Sequence, residues 1–533
     1  MRNINSFFIF ILLISSLSSL SQATIDSGFG NGGKVITPIS NAKDGIYGLA
    51  IQDDHKILAC GMSYNGTKYL LTITRYLSNG NLDLTFGTGG TNVTNFGSRY
   101  IHTDAIALQS DGKILIGGTH DISVTPTIMD LVFVVLRFNI DGSADSTFGI
   151  NGSVVTDFSP LGNGGIANGI KSLLVQPDNK ILVTGFGSAV SGDSGSNFEL
   201  ARYNADGTLD SSFGTAGKAD INIGLTTTAN NFQIPGYDYP TAIKLQDDGK
   251  IVITGFSNAG RIYGEGSDLA VVRLDTDGNL DSSFGTNGKV TYDLGGFEDG
   301  FSLQMTPDHK IIVGGNAYLN DDYDHCKIVL CKLNNDGSLD ATFGINGKVT
   351  TQINTVEQYD SLSSLVLEDD GKILATGHTL YNQKTDFLLL RYNADGTLDN
   401  SFAAGYLVTT DFINSNDKTF ASILQNDGKI VLAGTTDANG NYDFGLVRYS
   451  LNNLSATAFS SEKFLVYPNP ATSILYVSDN DDIQTINIYN NLGQLVISNP
   501  EKKNIDISAL AFGQYLIKIT TSNSFEVRKF LKK

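Results

Sequence analysis

Acidic residues recur at a fixed distance from a repeated turn, and they are the residues of this 533-residue chain best suited to bind a ligand or a cation. The turn reads Asp-Gly-Lys or a close variant, and its lysine occurs seven times, at Lys56, Lys113, Lys180, Lys250, Lys310, Lys372 and Lys429. Twelve residues before these lysines lie Asp44, Asn168, Asp238, Glu298, Asp360 and Asp417. The second repeat departs from this spacing, with Asp104 nine residues before its lysine.

This acidic series has two interpretations. Equivalent positions in a closed ring of repeats converge around its axis, where several carboxylates could hold calcium, a cation that needs many oxygen ligands. Each carboxylate could instead accept backbone N–H groups at the start of a strand. The candidate ligand- or cation-binding residues are therefore Asp44, Asp104, Asp238, Glu298, Asp360 and Asp417. Calcium is the one cofactor that the pattern suggests, and no residue is assigned a catalytic role.

Other residues with chemical potential give weaker signals. The chain has no paired-histidine metal motif, P-loop or dinucleotide fingerprint. The histidines outside the turns occupy unrelated positions in their repeats, so the spacing leaves open whether they converge; they are His102, His120, His325 and His378. A basic residue ends the third apolar segment of each repeat, and in the first six repeats it precedes an aspartate by seven or eight residues, as Arg202 precedes Asp210. An internal ion pair is the expected role of this pair.

The segments around each turn are predicted strands. Runs rich in β-branched residues precede and follow it, as in 251–255, and a third run and a Gly-Lys-Val segment complete the repeat. The middle residue of the turn is Gly, Asn or His, which tolerate positive φ, as a tight hairpin requires. Four strands repeated seven times predict an all-β fold, a seven-bladed β-propeller. The strand near Val35 is expected to complete the last blade and close the ring.

The repeat resembles the delta-60 repeat family. The similarity rests on Leu-Asp-x-x-Phe-Gly, Gly-Lys-Val, Gln-x-Asp-Gly-Lys-Ile and Arg-Tyr-Asn-x-Asp-Gly, over residues 25–453. It implies a bacterial β-propeller-like domain without catalytic residues to carry over. Departures are local: Lys332 replaces the arginine, Ala403 replaces a glycine, and the last repeat lacks its second turn.

The two ends of the sequence indicate export. Residues 1–23 have the apolar run and small-residue cleavage site of a signal peptide, and no later segment is apolar enough to span a bilayer. After a linker at 454–463, residues 464–533 predict a small Ig-like β-sandwich. This segment resembles the C-terminal sorting domain of type IX secretion cargo, through Tyr-Pro-Asn-Pro, Asn-Asn-Leu-Gly-Gln and the basic end. The resemblance implies the type IX machinery as partner and a secreted or outer-membrane surface location.

The net charge and the loop lengths limit the classes of partner that the protein can bind. The net charge of −19 disfavours nucleic acid as a partner, and three cysteines cannot form a disulfide framework. Insertions at 120–130, 188–197, 224–239 and 257–267 fall on the face opposite the Asp-Gly-Lys turns, and variable loops on a rigid scaffold commonly bind ligands. The leading hypothesis is a binding module for an extracellular glycan or protein. The alternatives are a hydrolase or lyase with an axial active site, and a purely structural surface protein.

Overall fold

In the computed structural model, β-strands form the regular structure of all described residues. These are 23–95, 101–123, 130–158, 168–188, 195–224, 227–229, 232–234, 236–258, 266–294, 297–319, 322–353, 359–381, 383–403, 405–451, 466–477, 483–490, 494–500, 504–521 and 525–533. The chain divides into two compact regions, Met1–Asn453 and Leu454–Lys533. Among the described residues, no helix is long and apolar enough to cross a membrane. The all-β fold class is confirmed.

The described residues of the first region form 31 strands. The first sixteen are β1 (Ala23–Ile25), β2 (Lys34–Thr37), β3 (Asp44–Ile51), β4 (Ile57–Tyr64), β5 (Tyr69–Tyr76), β6 (Thr91–Thr94), β7 (Ile101–Leu108), β8 (Ile114–Asp121), β9 (Leu131–Phe138), β10 (Ser153–Thr156), β11 (Gly169–Val175), β12 (Ile181–Ser188), β13 (Ser196–Tyr203), β14 (Lys218–Ile221), β15 (Thr227–Ala229) and β16 (Phe232–Ile234). The others are β17 (Asp238–Leu245), β18 (Ile251–Ser257), β19 (Asp268–Leu274), β20 (Lys289–Tyr292), β21 (Phe297–Met305), β22 (Ile311–Leu319), β23 (Asp322–Leu333), β24 (Lys348–Thr351), β25 (Asp360–Leu367), β26 (Ile373–Tyr381), β27 (Lys384–Tyr392), β28 (Leu407–Thr410), β29 (Asp417–Leu424), β30 (Lys429–Thr436) and β31 (Asp443–Leu451).

These strands form antiparallel sheets that follow one another along the chain. Six sheets have four consecutive strands each: β3–β6, β7–β10, β11–β14, β17–β20, β21–β24 and β25–β28. A seventh contains β29, β30 and β31, and β15 pairs with β16 as a separate hairpin. These seven sheets, here called sheets 1 to 7 in chain order, match the seven repeats in number. The first strand of each sheet contacts the first strand of the next, and β29 contacts β3, so these inner strands form a closed ring.

The Asp-Gly-Lys turns join the first and second strands of their sheets. Their middle residues all have φ between 61° and 83°, and these are His55, Gly112, Asn179, Gly249, His309, Gly371 and Gly428. The predicted left-handed backbone is therefore confirmed at every repeat. The histidines at two of these turns, His55 and His309, adopt the same left-handed conformation as the glycines.

The N-terminal segment completes sheet 7. Strand β2 pairs antiparallel with β31, from Lys34 opposite Val447 to Thr37 opposite Phe444. Strand β1 pairs with the far end of β31, with Ala23 opposite Leu451. The turn between β1 and β2 also supplies the second turn that the last repeat lacks. The predicted strand exchange is confirmed.

A buried ion pair holds the second turn of most repeats. Arg202 Nε donates to Asp210 Oδ2 at 2.7 Å, which confirms the predicted internal pair. The guanidinium also stacks 4.6 Å from the centre of the Phe213 ring, and it donates to the carbonyl oxygen of Thr276 in the next sheet. In sheet 7 the aspartate comes from the N-terminal segment, because Arg448 pairs with Asp26, 422 residues away. Ring closure thus rebuilds the same contact from two ends of the chain.

The second region is a small structure of two sheets. Its strands are β32 (Val466–Tyr467), β33 (Ile474–Val477), β34 (Ile483–Tyr489), β35 (Leu495–Pro500), β36 (Asn504–Asp506), β37 (Gly513–Thr521) and β38 (Phe525–Lys532). One sheet has the order β32-β33-β36 and the other β35-β34-β37-β38. Leu475 from the first sheet and Ile488 and Ile517 from the second share one buried core. This arrangement agrees with the predicted sandwich.

Candidate functional site

The acidic series lies at the entry to the inner strands. Asp44, Asp238, Asp360 and Asp417 each begin one, Glu298 is the second residue of β21, and Asn168 directly precedes β11. All six side chains are buried, since no residue of the set exposes more than 2% of its surface. The series therefore shares one structural position, and its members lie inside the protein.

Four of these carboxylates bind the backbone of their own loop. Asp360 Oδ2 accepts the N–H of Ile353 at 2.6 Å, and its Oδ1 accepts the Thr379 hydroxyl at 2.6 Å. A loop N–H is bound in the same way by Asp44 from Ile39, by Asp238 from Ile223 and by Asp417 from Phe412. The alternative that each aspartate satisfies backbone donors thus describes the geometry of these four. Cation binding by the series stays a prediction.

Replacing Asp360 with alanine is expected to destabilise the protein by about 1–3 kcal/mol, because a buried N–H and a buried hydroxyl lose their acceptor. The measurement is denaturant unfolding with calcium and with chelator. An equal loss in both conditions supports the backbone-binding role. If the loss appears only when calcium is present, Asp360 contributes to a cation site instead.

Two members of the series lie in clusters of three acids. Glu298 lies with Asp268 and Asp293, and Asp417 lies with Asp386 and Asp411; within each cluster the carboxylate oxygens are within 4.8 Å of one another. In the second cluster, burial together with the charges of Asp411 and Asp417 raises the pKa of Asp386 to about 6. The two clusters occupy matching places between neighbouring sheets.

Asp104 belongs to a different position from the rest of the series. Each inner strand carries a β-bulge, and the bulged residue always lies nine residues before the turn lysine. The bulged residues are Tyr47, Asp104, Lys171, Thr241, Phe301, Ser363 and Phe420. Asp104 is therefore regular at this position rather than an exception at the other. A bulge re-aims its side chain, and bulges are common beside functional sites.

Side chains at and next to the bulges contact one another from sheet to sheet. The Phe420 and Tyr47 ring centres lie 5.2 Å apart, and those of Tyr47 and His102 lie 5.1 Å apart. His102 Nδ1 lies 2.9 Å from Asp104 Oδ2, which lies 3.2 Å from Lys171 Nζ. Lys171 in turn contacts the ring of Tyr239. We call this continuous set of residues the axial arc: Phe420, Tyr47, His102, Asp104, Lys171 and Tyr239. It spans sheets 7, 1, 2, 3 and 4.

The far end of the axial arc is aromatic. Lys171 Nζ lies 5.6 Å from the centre of the Tyr239 ring. That ring is stacked between Phe186, at 4.5 Å, and Phe256, at 5.2 Å. All three rings are half-buried and keep part of their surface open. The arc thus offers aromatic faces beside an ion pair.

The electrostatics of the axial arc favour a fixed ion pair. Burial opposes the charge on Asp104, but the hydrogen bond from His102 and the charges of His102 and Lys171 outweigh it and hold its pKa below the usual value. Burial also opposes the charge on Lys171, yet Asp104 and the Tyr239 phenol raise its pKa. Burial raises the pKa of Tyr239, so this phenol stays neutral at pH 7.

Asp299 lies on the next inner strand beyond the aromatic stack. Burial raises its pKa to about 7. Its carboxylate in turn raises the pKa of the phenols of Tyr239 and Tyr318, so it lies near both. Among the described residues, this region therefore holds Asp104, whose carboxylate has a lowered pKa, and Asp299, whose carboxylate has a raised pKa.

Sequence reasoning identified only Asp104 of this arrangement. The positions nine and eleven residues before the turn lysine would have revealed Tyr47, His102, Lys171 and Tyr239, had they been compared across the repeats. Of the four histidines outside the turns, His102 lies in the arc, whereas the His378 ring lies 5.9 Å from that of Tyr359 and burial lowers its pKa to about 3. Parts of the four predicted insertions lie outside the described residues, at 124–129, 189–194, 225–226, 230–231, 235 and 259–265.

Family models match two parts of the chain. The model described as a domain of unknown function (DUF5122) beta-propeller matches residues 176–213, 246–284, 306–343, 368–402 and 425–452. The model described as a secretion system C-terminal sorting domain matches residues 465–533. A search of curated proteins found no significant match.

Several solved structures are similar at low identity. The polysaccharide lyase Uly1 is 12% identical with a TM-score of 0.44, and the match covers 82% of this chain and 95% of that one. A virginiamycin B lyase from Staphylococcus aureus is 10% identical with a TM-score of 0.38, over 78% and 98%. Sqt1 from Chaetomium thermophilum is 10% identical with a TM-score of 0.38, over 78% and 99%. Likenesses at this level carry no information about activity.

The family matches confirm both resemblances seen in the sequence, and they indicate where the protein is located. A type IX sorting domain directs its cargo to the extracellular space or the cell surface and implies contact with the secretion machinery. The chain therefore combines a DUF5122 β-propeller repeat region with a type IX secretion C-terminal sorting domain.

Proposed function

We propose that the propeller binds an extracellular glycan at the axial arc. The observation that carries the proposal is the continuous chain of contacts from Phe420 to Tyr239 across five neighbouring sheets. Sugars present an apolar C–H face and an edge of hydroxyl groups. Partly open aromatic rings suit the face, and the Asp104–Lys171 pair and His102 offer hydrogen bonds to the edge.

A panel of soluble polysaccharides tested by calorimetry examines this proposal. Tyr239→Ala and Tyr47→Ala are each expected to weaken binding at least about tenfold, because each removes an aromatic contact surface. Tyr381→Ala is the matched control, since this tyrosine is 62% exposed and lies outside the arc. Equal affinity of the wild type and both arc variants would place binding elsewhere. No binding by any polysaccharide would leave protein ligands as the class to test.

A second candidate is an enzyme that cleaves such a glycan. It is favoured by the opposite pKa shifts of Asp104 and Asp299, since a base and an acid of this kind are needed together in general acid–base catalysis. Incubation of the same panel with the protein, followed by measurement of chain length, separates the two functions. Cleavage supports an enzyme, and binding without cleavage supports a binding module.

We also propose the domain division as a signal peptide at 1–23, the propeller at 24–453, a linker at 454–463 and the sorting domain at 464–533. The division of the chain into two compact regions falls between Asn453 and Leu454, and the match to the sorting-domain family begins at residue 465. Cleavage after Ala23 would remove the first residue of β1 and leave Thr24 and Ile25 to pair with β31.

A further inference from the structure

We propose that Asn197, Glu199 and Asp220, in sheet 3, form a binding site for a hard divalent cation, with calcium as the best fit. The site is separate from the axial arc and from the acidic series. Its donors are two carboxylates and an amide oxygen, carried by the adjacent strands β13 and β14.

The strand register brings the three side chains together. Asn197 and Glu199 are two residues apart on β13 and so point to the same face. Asp220 lies directly opposite Glu199 across the pair of β13 and β14. Asn197 Nδ2 donates to Asp220 Oδ1 at 2.6 Å, so these two side chains are in contact.

The Glu199 carboxylate extends toward the same place. Gly187 of strand β12 lies opposite Asn197 of β13. A Cβ added to Gly187 would collide with the Glu199 carboxylate. That carboxylate therefore lies at the level of Asn197. The two carboxylates approach Asn197 from opposite sides, Glu199 over β12 and Asp220 from β14.

The oxygens of this site are buried without hydrogen-bond partners. Glu199 is 0% exposed, and neither Oε1 nor Oε2 has a partner. Asn197 Oδ1 is buried and unpartnered as well, while its amide nitrogen is used by Asp220. A buried carboxylate without a partner is costly and calls for a compensating group. Three such oxygens in one place point to a bound ion.

The charge around these oxygens is negative. Burial, together with Asp220 and Asp157, raises the pKa of Glu199, and Lys218 opposes the shift only in part. The Lys218 ammonium donates to the carbonyl oxygen of Asp157 at 2.6 Å. A divalent cation would neutralise the two carboxylates. Glu199 itself faces Gly185 of β12. The fold does not need a charge at this position, because the residues that face the glycine equivalent to Gly185 in the other six sheets are uncharged.

The donor set selects the class of cation. Carboxylate and amide oxygens are ligands of calcium and magnesium, whereas zinc and copper favour nitrogen and sulfur. Calcium accepts six to eight oxygens in flexible geometry, so water can complete the shell. Asp220 is exposed and gives the ion a path from solvent.

Calorimetric titration of the chelator-treated secreted protein with calcium chloride tests the proposal. One site is expected, with a dissociation constant of about 0.1–1 mM, typical of extracellular calcium modules. Glu199→Gln removes a charged ligand while keeping its shape, and is expected to weaken binding at least about tenfold. Asn197→Ala removes the amide oxygen and is also expected to weaken calcium binding. It is the test variant if Glu199→Gln does not fold. Melting temperatures in chelator verify folding.

Asp386→Asn is the matched control, because it alters another acidic cluster and leaves this site intact. Its calcium affinity is expected to equal that of the wild type. The proposal is overturned if neither calcium nor magnesium binds. It is also overturned if binding survives in folded Glu199→Gln or Asn197→Ala, or if Asp386→Asn is the variant that abolishes it.

Discussion

Replacing Arg448 with methionine is expected to lower the free energy of unfolding by about 2–4 kcal/mol, because a buried guanidinium contact is lost and the partly buried Asp26 keeps Lys429, 3.1 Å away, as its remaining cation. Arg448 Nε and Nη2 each lie 2.8 Å from Asp26 Oδ2. Its Nη1 donates to the carbonyl oxygen of Ser78, so one guanidinium joins sheet 7, the N-terminal segment and sheet 1. Denaturant unfolding gives the size of the loss, and hydrogen exchange shows where it acts.

Arg202→Met is the matched control for this change. It breaks the same type of ion pair, but its partner Asp210 is only eight residues away. Both variants are expected to be less stable, and only Arg448→Met is expected to speed hydrogen exchange in β1 and β2. A loss below about 1 kcal/mol for Arg448→Met, in the range of a surface ion pair, would contradict this role. So would identical exchange patterns in the two variants.

Replacing Lys171 with methionine is expected to cost about 2–4 kcal/mol at pH 7, because Asp104 then keeps its charge in a partly buried place with His102 beside it but without the ammonium 3.2 Å away. The folded-state pKa of Asp104 lies below its ordinary value of 3.8. The ion pair therefore contributes its full stability above about pH 4 and loses it as the pH falls through the lowered pKa. The difference between wild type and variant should shrink in acid. Denaturant unfolding at several pH values measures it.

Two further variants show whether the effect belongs to the ion pair. Adding Asp104→Asn to Lys171→Met removes the carboxylate charge that Lys171 balanced and is expected to recover most of the lost stability. Lys244→Met is the control on another inner strand, where burial lowers the pKa of the lysine and the charge is therefore unfavourable. This control should be neutral or stabilising. If the double variant is no better than Lys171→Met, packing rather than charge explains the loss.

Much of the propeller could be predicted because its information is local. A turn with positive φ needs Gly, Asn or His at one position, and this requirement marks every repeat in the sequence. The Arg202–Asp210 pair was predictable for the same reason, since both partners lie in one repeat. The pairing of Arg448 with Asp26 was accessible only through ring closure, because the two residues lie 422 positions apart.

The axial arc was harder to predict, since its members come from five repeats and share no residue type. Asp104 and Lys171 occupy the same bulge position, yet one is an acid and the other a base. A search for repeated acids therefore finds the buried strand entries, such as Asp360, where a common structural need preserves the residue type. Chemical diversity at one position, rather than repetition, marked the candidate site.

The pairing of β1 and β2 with β31 also sets an order of events. When the N-terminus of the chain emerges first, β1, Asp26 and β2 appear before the other strands of the propeller. Their partners, however, lie in the last repeat. Sheets 1 to 6 can assemble from neighbouring segments as they appear, whereas sheet 7 must wait for residues 443–451. The earliest strands to be made are thus the last to find their places, and the propeller becomes a ring only when its whole length is available.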